Sequence, residues 1–115
     1  MPIADPLPDA GDILWIDFGP PFGHEQAGRR PGLVISPRHY NEISSFLLVC
    51  PLTRNPAPWP FKIPMPKLGR LEGFVLIDQV RCIDRHLRAL RRGERVPDAF
   101  LSEIQGRLAA LLGIE

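Results

Sequence analysis

Two adjacent arginines, Arg29 and Arg30, follow a polar turn that carries Glu25, and a threonine, Thr53, ends an apolar run further along. A guanidinium stays protonated at neutral pH. Its planar fork of N–H donors suits a phosphate oxyanion, most of all when charge develops in a transition state. A threonine hydroxyl can donate to the same phosphate, and a carboxylate can take the proton of an attacking hydroxyl. Together the three groups fit metal-free cleavage of RNA by its own 2′-hydroxyl. An Arg-Arg-Pro turn is more often a plain entry to a surface strand, and such a threonine more often a strand-end residue, so the pattern alone does not establish this chemistry.

Other chemistries find less support. His24, His39 and His86 are isolated, and neither Cys50 nor Cys82 has a partner at zinc-site spacing, so no metal or cofactor is expected. The stretch Gly23 to Gly28 is too polar for a phosphate-binding glycine loop and has no helix after it. No nucleophile elbow or dinucleotide fingerprint occurs.

The elements that must position these groups read mainly as short strands. Asp12 to Phe18 alternates, with Leu14, Ile16 and Phe18 on the face expected to meet the core and Ile13, Trp15 and Asp17 on the other, where a loop or a partner subunit covers Trp15. The glycine-punctuated loop Gly23-His24-Glu25-Gln26-Ala27-Gly28 then leads through Arg29-Arg30-Pro31 into a strand from Gly32 to Ser36. After a turn around Asn41, the run Phe46 to Thr53 is apolar enough for both faces to be covered. Pro56 to Pro60 is a stiff connection, and Pro64 marks Phe61 to Met65 as an edge strand. Phe74 to Ile83 reads as one long strand, Asp84 as the cap of a short helical turn, and Arg88 to Arg92 as a further strand. Asp98 is the expected N-cap of a terminal helix whose apolar stripe is Leu101, Ile104, Leu108 and Leu111, ended by Gly113. Many short strands and one terminal helix make a mainly β (α+β) chain, a strongly bent sheet or half-open barrel plugged by that helix.

The bulk numbers bound the rest. A chain of 115 residues is one domain, read as a frayed leader over residues 1–10 and a single unit over 11–115. The net charge of +1 does not by itself announce a nucleic-acid binder. The distribution says more, since 12 of the 14 basic residues are arginines and Arg81 to Arg95 holds six of them, expected mostly as a solvated face. Both cysteines sit in apolar runs and read as small buried hydrophobes. With neither a signal peptide nor a membrane span in view, a reduced cytoplasmic setting is expected.

In order along the chain, several fragments resemble the MazF/PemK family of toxin ribonucleases. They are Gly11-Asp12 with Trp15, Asp17 and Phe18; Gly23 with Glu25-Gln26-Ala27-Gly28 and Arg30-Pro31; Ser36-Pro37 before Tyr40-Asn41; Cys50-Pro51 and Thr53; Pro60-Phe61; and Gly73 with Leu76, Asp78-Gln79-Val80 and Ile83-Asp84. Each is weak alone, and their collinearity is what carries the resemblance.

The resemblance implies a homodimer of SH3-like barrels that cuts single-stranded RNA sequence-specifically, without metal, leaving 2′,3′-cyclic phosphate and 5′-hydroxyl ends. By position, the family's catalytic arginine falls on Arg30 and its threonine on Thr53, with Glu25 as a supporting or proton-handling group. Arg29, His24, Gln26, Trp59 and Gln79 are the RNA-binding candidates, Trp59 through stacking on an unpaired base. It also implies an antitoxin whose disordered tail wraps the dimer, for which the Arg81 to Arg95 cluster and the Trp15 face are candidate docking surfaces. Two other readings keep the fold: a non-enzymatic toxin that poisons DNA gyrase, and an inactive module that binds only a partner and operator DNA.

Overall fold

The sheet is organised around its longest strand. In the computed structural model, which describes residues 7–114, the strands are β1 (Asp12–Asp17), β2 (Arg29–Val34), β3 (Phe46–Thr53), β4 (Lys62–Pro64), β5 (Phe74–Leu76), β6 (Arg81–Asp84) and β7 (Ala89–Arg95). They pair antiparallel in the order β4-β5-β3-β2-β1-β7, with β6 also on β3. Helices α1 (Arg38–Ile43) and α2 (Arg85–Arg88) are short, and α3 (Asp98–Leu111) is the terminal helix. The seven-stranded sheet does not close, so the expected half-open barrel with a C-terminal helix is what forms.

Each face of this sheet carries an apolar core. Leu14, Ile16 and Phe18 join Val34, Leu47, Val49 and Ile83 in one core, as the alternation of β1 requires. Ile13, Leu33, Cys50 and Leu52 point the other way into a second core, closed by Phe100, Ile104 and Leu108 of α3. The second face of β1 is therefore no solvent face at Ile13. The continuous apolar run of β3 is explained as expected, although Phe46 and Leu48 near its start remain exposed. The buried stripe of α3 is Phe100, Ile104 and Leu108, while Leu111 is exposed. Each side chain so buried contributes roughly 1.5–3 kcal/mol.

Several expectations are corrected. The long strand from Phe74 is broken by a 3-10 turn, Ile77–Gln79, so that β5 pairs with the end of β3 and β6 with its beginning. Pro51 lies between those two stretches of β3 and has no N–H to offer a ladder there. Strand β2 begins at Arg29 rather than Gly32, because Asp17 and Ile16 of β1 pair with Arg29 and Arg30. The cap of α3 is Pro97 and not Asp98, whose side chain is exposed and 3.8 Å from Arg95. Asp84 does cap α2, accepting from the N–H groups of His86 and Leu87 at 2.9 and 3.2 Å. Cys82 is exposed, because β6 turns it away from the core that holds Ile83.

Asn41 belongs to a helix rather than a turn and is completely buried. Its amide donates to the carbonyls of Pro8 and Ser36 at 2.8 and 3.0 Å and accepts from Ser36 Oγ at 2.6 Å. Of the expected frayed leader, residues 1–6 lie outside the described residues. Residues 7–10 are pinned by Asn41 and by Arg38, which donates to the carbonyl of Leu7 and, through its N–H, to Asp9.

The arginines of β6, α2 and β7 are partly or largely solvated, as Arg91 and Arg95 are, yet most of them also have partners within the chain. Arg92 and Arg95 meet the buried carboxylate of Asp12 at 3.0 and 3.1 Å, and Arg88 donates to the Asp17 carbonyl at 3.2 Å. Arg91 lies 4.9 Å over the ring of Trp15, and Arg81 5.5 Å over that of Phe18. These contacts stitch the last strand and its approach to β1, and Trp15 stays half-buried beneath Arg91.

Candidate active site

The two strand ends that carry the proposed chemistry are neighbours across the sheet. Strands β2 and β3 pair Val34 with Val49, Leu33 with Cys50 and Gly32 with Pro51, and the same register carried two residues further sets Arg30 opposite Thr53. Positions related in this way share a face. Both residues line a single groove of about 320 Å³, together with Arg29, Arg54, Arg70 and Glu72.

Arg30 is held on both sides by backbone. Its Nε donates to the Ala27 carbonyl at 2.8 Å and its Nη1 to the Leu52 carbonyl at 3.3 Å. Nη2 has no hydrogen-bond partner among the described residues, so one edge of the fork is left for a ligand. Burial pushes the guanidinium below its ordinary value, yet an arginine starts so high that it remains a cation at neutral pH. The arrangement is that of a fixed, partly desolvated positive charge.

Thr53 is buried, and its Oγ1 accepts from the N–H of Asn55 at 3.2 Å. A hydroxyl that already accepts has its own hydrogen free to donate. The backbone around it is packed tightly against Gly73, as the pairing of β3 with β5 requires.

Glu25 lies elsewhere. With Gln26, Asp78 and Gln79 it lines a second groove of about 330 Å³. Consecutive residues of β3 line the two grooves, Pro51 this one and Leu52 with Thr53 the other. The loop that carries Glu25 is closed at its base by Gly28 N–H on the Gly19 carbonyl, 2.8 Å, and tied down by Gln26 N–H on Gln79 Oε1, also 2.8 Å. His24 is exposed on this loop. Trp59 lines neither groove, but a third one with Phe74. Among the described residues no group of three or more His, Cys, Asp and Glu could hold a metal ion, and no helix is long and apolar enough to cross a membrane.

Reading the sequence missed Arg54, Arg70 and Glu72. Arg54 directly follows Thr53 and was within reach of such a reading. Arg70 and Glu72 come from the turn between β4 and β5, and only the return of that hairpin onto β3 brings them to the groove. Arg54 and Glu72 form an ion pair at 3.3 Å across the groove's outer end. Both side chains are largely in water, so the pair adds little stability.

Known proteins share this architecture and sequence. The chain is 37% identical over 107 residues to the endoribonuclease toxin MazF of Escherichia coli K12, covering 93% of this chain and 96% of that one. It is 34% identical over 108 residues to the Escherichia coli endoribonuclease PemK, covering 90% and 81%. The crystal structure of MazF from Deinococcus radiodurans is similar with a TM-score of 0.84 and 38% identity over 96% of this chain and all of that one. A MazE-MazF structure from the same organism is similar with a TM-score of 0.80 and 37% identity over 96% and 100%. Residues 9–112 match the description "PemK-like, MazF-like toxin of type II toxin-antitoxin system", and with sequence, sheet order and terminal helix in agreement, the chain belongs to that family.

Proposed function

We propose that this protein is a toxin endoribonuclease that cuts single-stranded RNA at a short recognised sequence. The observation that carries the reading is the shared groove of Arg30 and Thr53, with Arg29, Arg54 and Arg70 around it and Glu72 its one carboxylate. Such a surface suits a phosphodiester far better than a neutral or cationic ligand.

In this reading the ribose 2′-oxygen attacks the adjacent phosphorus, the bond from phosphorus to the 5′-oxygen breaks, and a 2′,3′-cyclic phosphate remains. Arg30 and the Thr53 hydroxyl stabilise the extra negative charge of the pentavalent transition state. Glu25 accepts the 2′-hydroxyl proton, and the departing 5′-oxygen takes a proton from water. Because Glu25 lines the neighbouring groove, the substrate has to span both grooves, with His24, Gln26 and Gln79 contacting it on the Glu25 side. Arg29, beside Arg30 on β2, holds a flanking phosphate.

The similarity to MazF, and to a chain solved as MazE-MazF, supports an antitoxin partner; in this reading the protein is a homodimer that acts on messenger RNA in the cytoplasm. The test is purified protein with unstructured RNA in excess chelator, beside Arg30→Ala and Thr53→Ala. Wild type is expected to cut at one repeated short sequence, and each variant to slow the step roughly a hundredfold or more. RNA left intact by well-folded wild type across varied sequences overturns the enzymatic reading and returns the choice to the two non-enzymatic readings, a gyrase-binding toxin or an inactive binding module.

A further inference from the structure

Three hollows on this surface share their walls. Arg54 and Glu72 line both the Arg30–Thr53 groove and a smaller hollow of about 290 Å³ that also takes in Phe74. Phe74 in turn lines a groove of about 450 Å³ with Pro56, Pro58, Trp59 and Lys62. The surface therefore forms one continuous track, cationic at one end and aromatic at the other.

The aromatic end is prearranged. Trp59 is 50% exposed, yet its indole N–H donates to Asp78 Oδ2 at 2.9 Å and its ring meets Phe61 edge-on at 5.7 Å. Lys62 donates to the carbonyls of Asn55 and Ala57 at 2.8 and 2.7 Å and stands 5.8 Å from the centre of the Phe74 ring. An exposed tryptophan held at its polar end, on a loop stiffened by three prolines, loses little freedom when a flat ligand lands on it.

Building on the ribonuclease reading, we propose that the RNA strand leaves the Arg30–Thr53 groove past Arg54, crosses Phe74, and lays one flanking base on the Trp59 ring. Arg54 then contacts the intervening phosphate, exchanging its pairing with Glu72 for the nucleic acid. A single strand is the ligand that alternates phosphates with flat rings, and the track offers guanidinium groups followed by an aromatic platform. An acidic peptide would match the first half of the track alone.

The test uses an oligonucleotide carrying the cut sequence, with a 2′-deoxy nucleotide at the scissile position so that it binds without reacting. Abasic substitutions are then walked along it. Removing one particular flanking base is expected to weaken wild-type binding roughly tenfold and to leave Trp59→Ala, already weaker by a similar factor on the intact strand, almost unchanged. Trp59→Phe is expected to regain most of the affinity, and to lack the part of the fluorescence quench that Trp59 contributes on binding. Should Trp59→Ala bind the intact strand like wild type, or the abasic penalty persist in full at every position, the stacking subsite is wrong while the ribonuclease reading stands. A tryptophan serving an acidic partner peptide would give that outcome. Failure of wild type to bind any oligonucleotide overturns both.

Discussion

A Cβ placed on Gly73 would stand 2.5 Å from the backbone carbonyl oxygen of Thr53. Gly73 also has a φ of +132°, where side chains are strained in any case. The hydroxyl proposed to touch the phosphate is thus placed by the absence of a side chain on the neighbouring strand. Gly73→Ala is expected to move Thr53 out of register, slowing single-turnover cleavage at least tenfold and costing about 1–3 kcal/mol of stability. A rate equal to wild type in a variant with unchanged urea midpoint would show that β3 has room to spare.

Gln79 supplies the hydrogen bond that ties the Glu25 loop to the 3-10 turn. In Gln79→Ala the Gln26 amide is expected to exchange with solvent faster, along with its neighbours from 22 to 28, while global stability falls by only about 1 kcal/mol. Hydrogen exchange followed by mass spectrometry reads both. Unchanged protection of this loop would mean that its glycine-closed base suffices.

Asp12 is buried between two arginines of β7 and also accepts the N–H of Asp9 at 2.9 Å. Its removal takes one shared carboxylate away from both guanidinium groups and from a backbone donor at once. Asp12→Ala is expected to cost about 3 kcal/mol in urea unfolding. A cost near that of an exposed ion pair would place the strength of the β1–β7 seam in its backbone ladder instead.

Cys50 gives a prediction in pH. Burial first, and then the charge of Asp78, push its thiol from 9.0 up to about 12. The folded chain keeps this proton where the unfolded chain has lost it. Stability is therefore undiminished below about pH 9 and falls as pH rises toward 12, by on the order of 4 kcal/mol at the far end. Cys50→Val should lack that component of the alkaline loss, measured as urea midpoints from pH 8 to 10.5. In the native protein a thiol reagent should label the exposed Cys82 and spare Cys50.

What the sequence disclosed was what short-range periodicity can encode. Alternation placed Leu14, Ile16 and Phe18, the unbroken apolar run of β3 announced two covered faces, and Asp84 and Pro64 acted through their own local chemistry. Features decided by distant partners stayed hidden. The break after Leu76 depends on Pro51 in another strand, and the start of β2 at Arg29 depends on the reach of β1. Arginines that spaced like a wet face turned out to have Asp12, Trp15 and Phe18 waiting across the sheet. At the site, Arg30 and Thr53 were legible as residue types at strand ends, whereas the arrival of Arg70 and Glu72 needed the fold of the β4–β5 hairpin.

The main path of this open sheet ends on β4 and on β7. One carries Lys62 and Pro64; the other presents Arg91, Arg92, Glu94 and Arg95 in close succession. Neither makes a good template for a stray strand, since proline breaks the bonding pattern and closely spaced charged side chains resist burial against a second copy. The arginines that fasten the last strand inward thereby also guard the molecule against fibrillar self-association, a danger that any barrel left ajar has to meet.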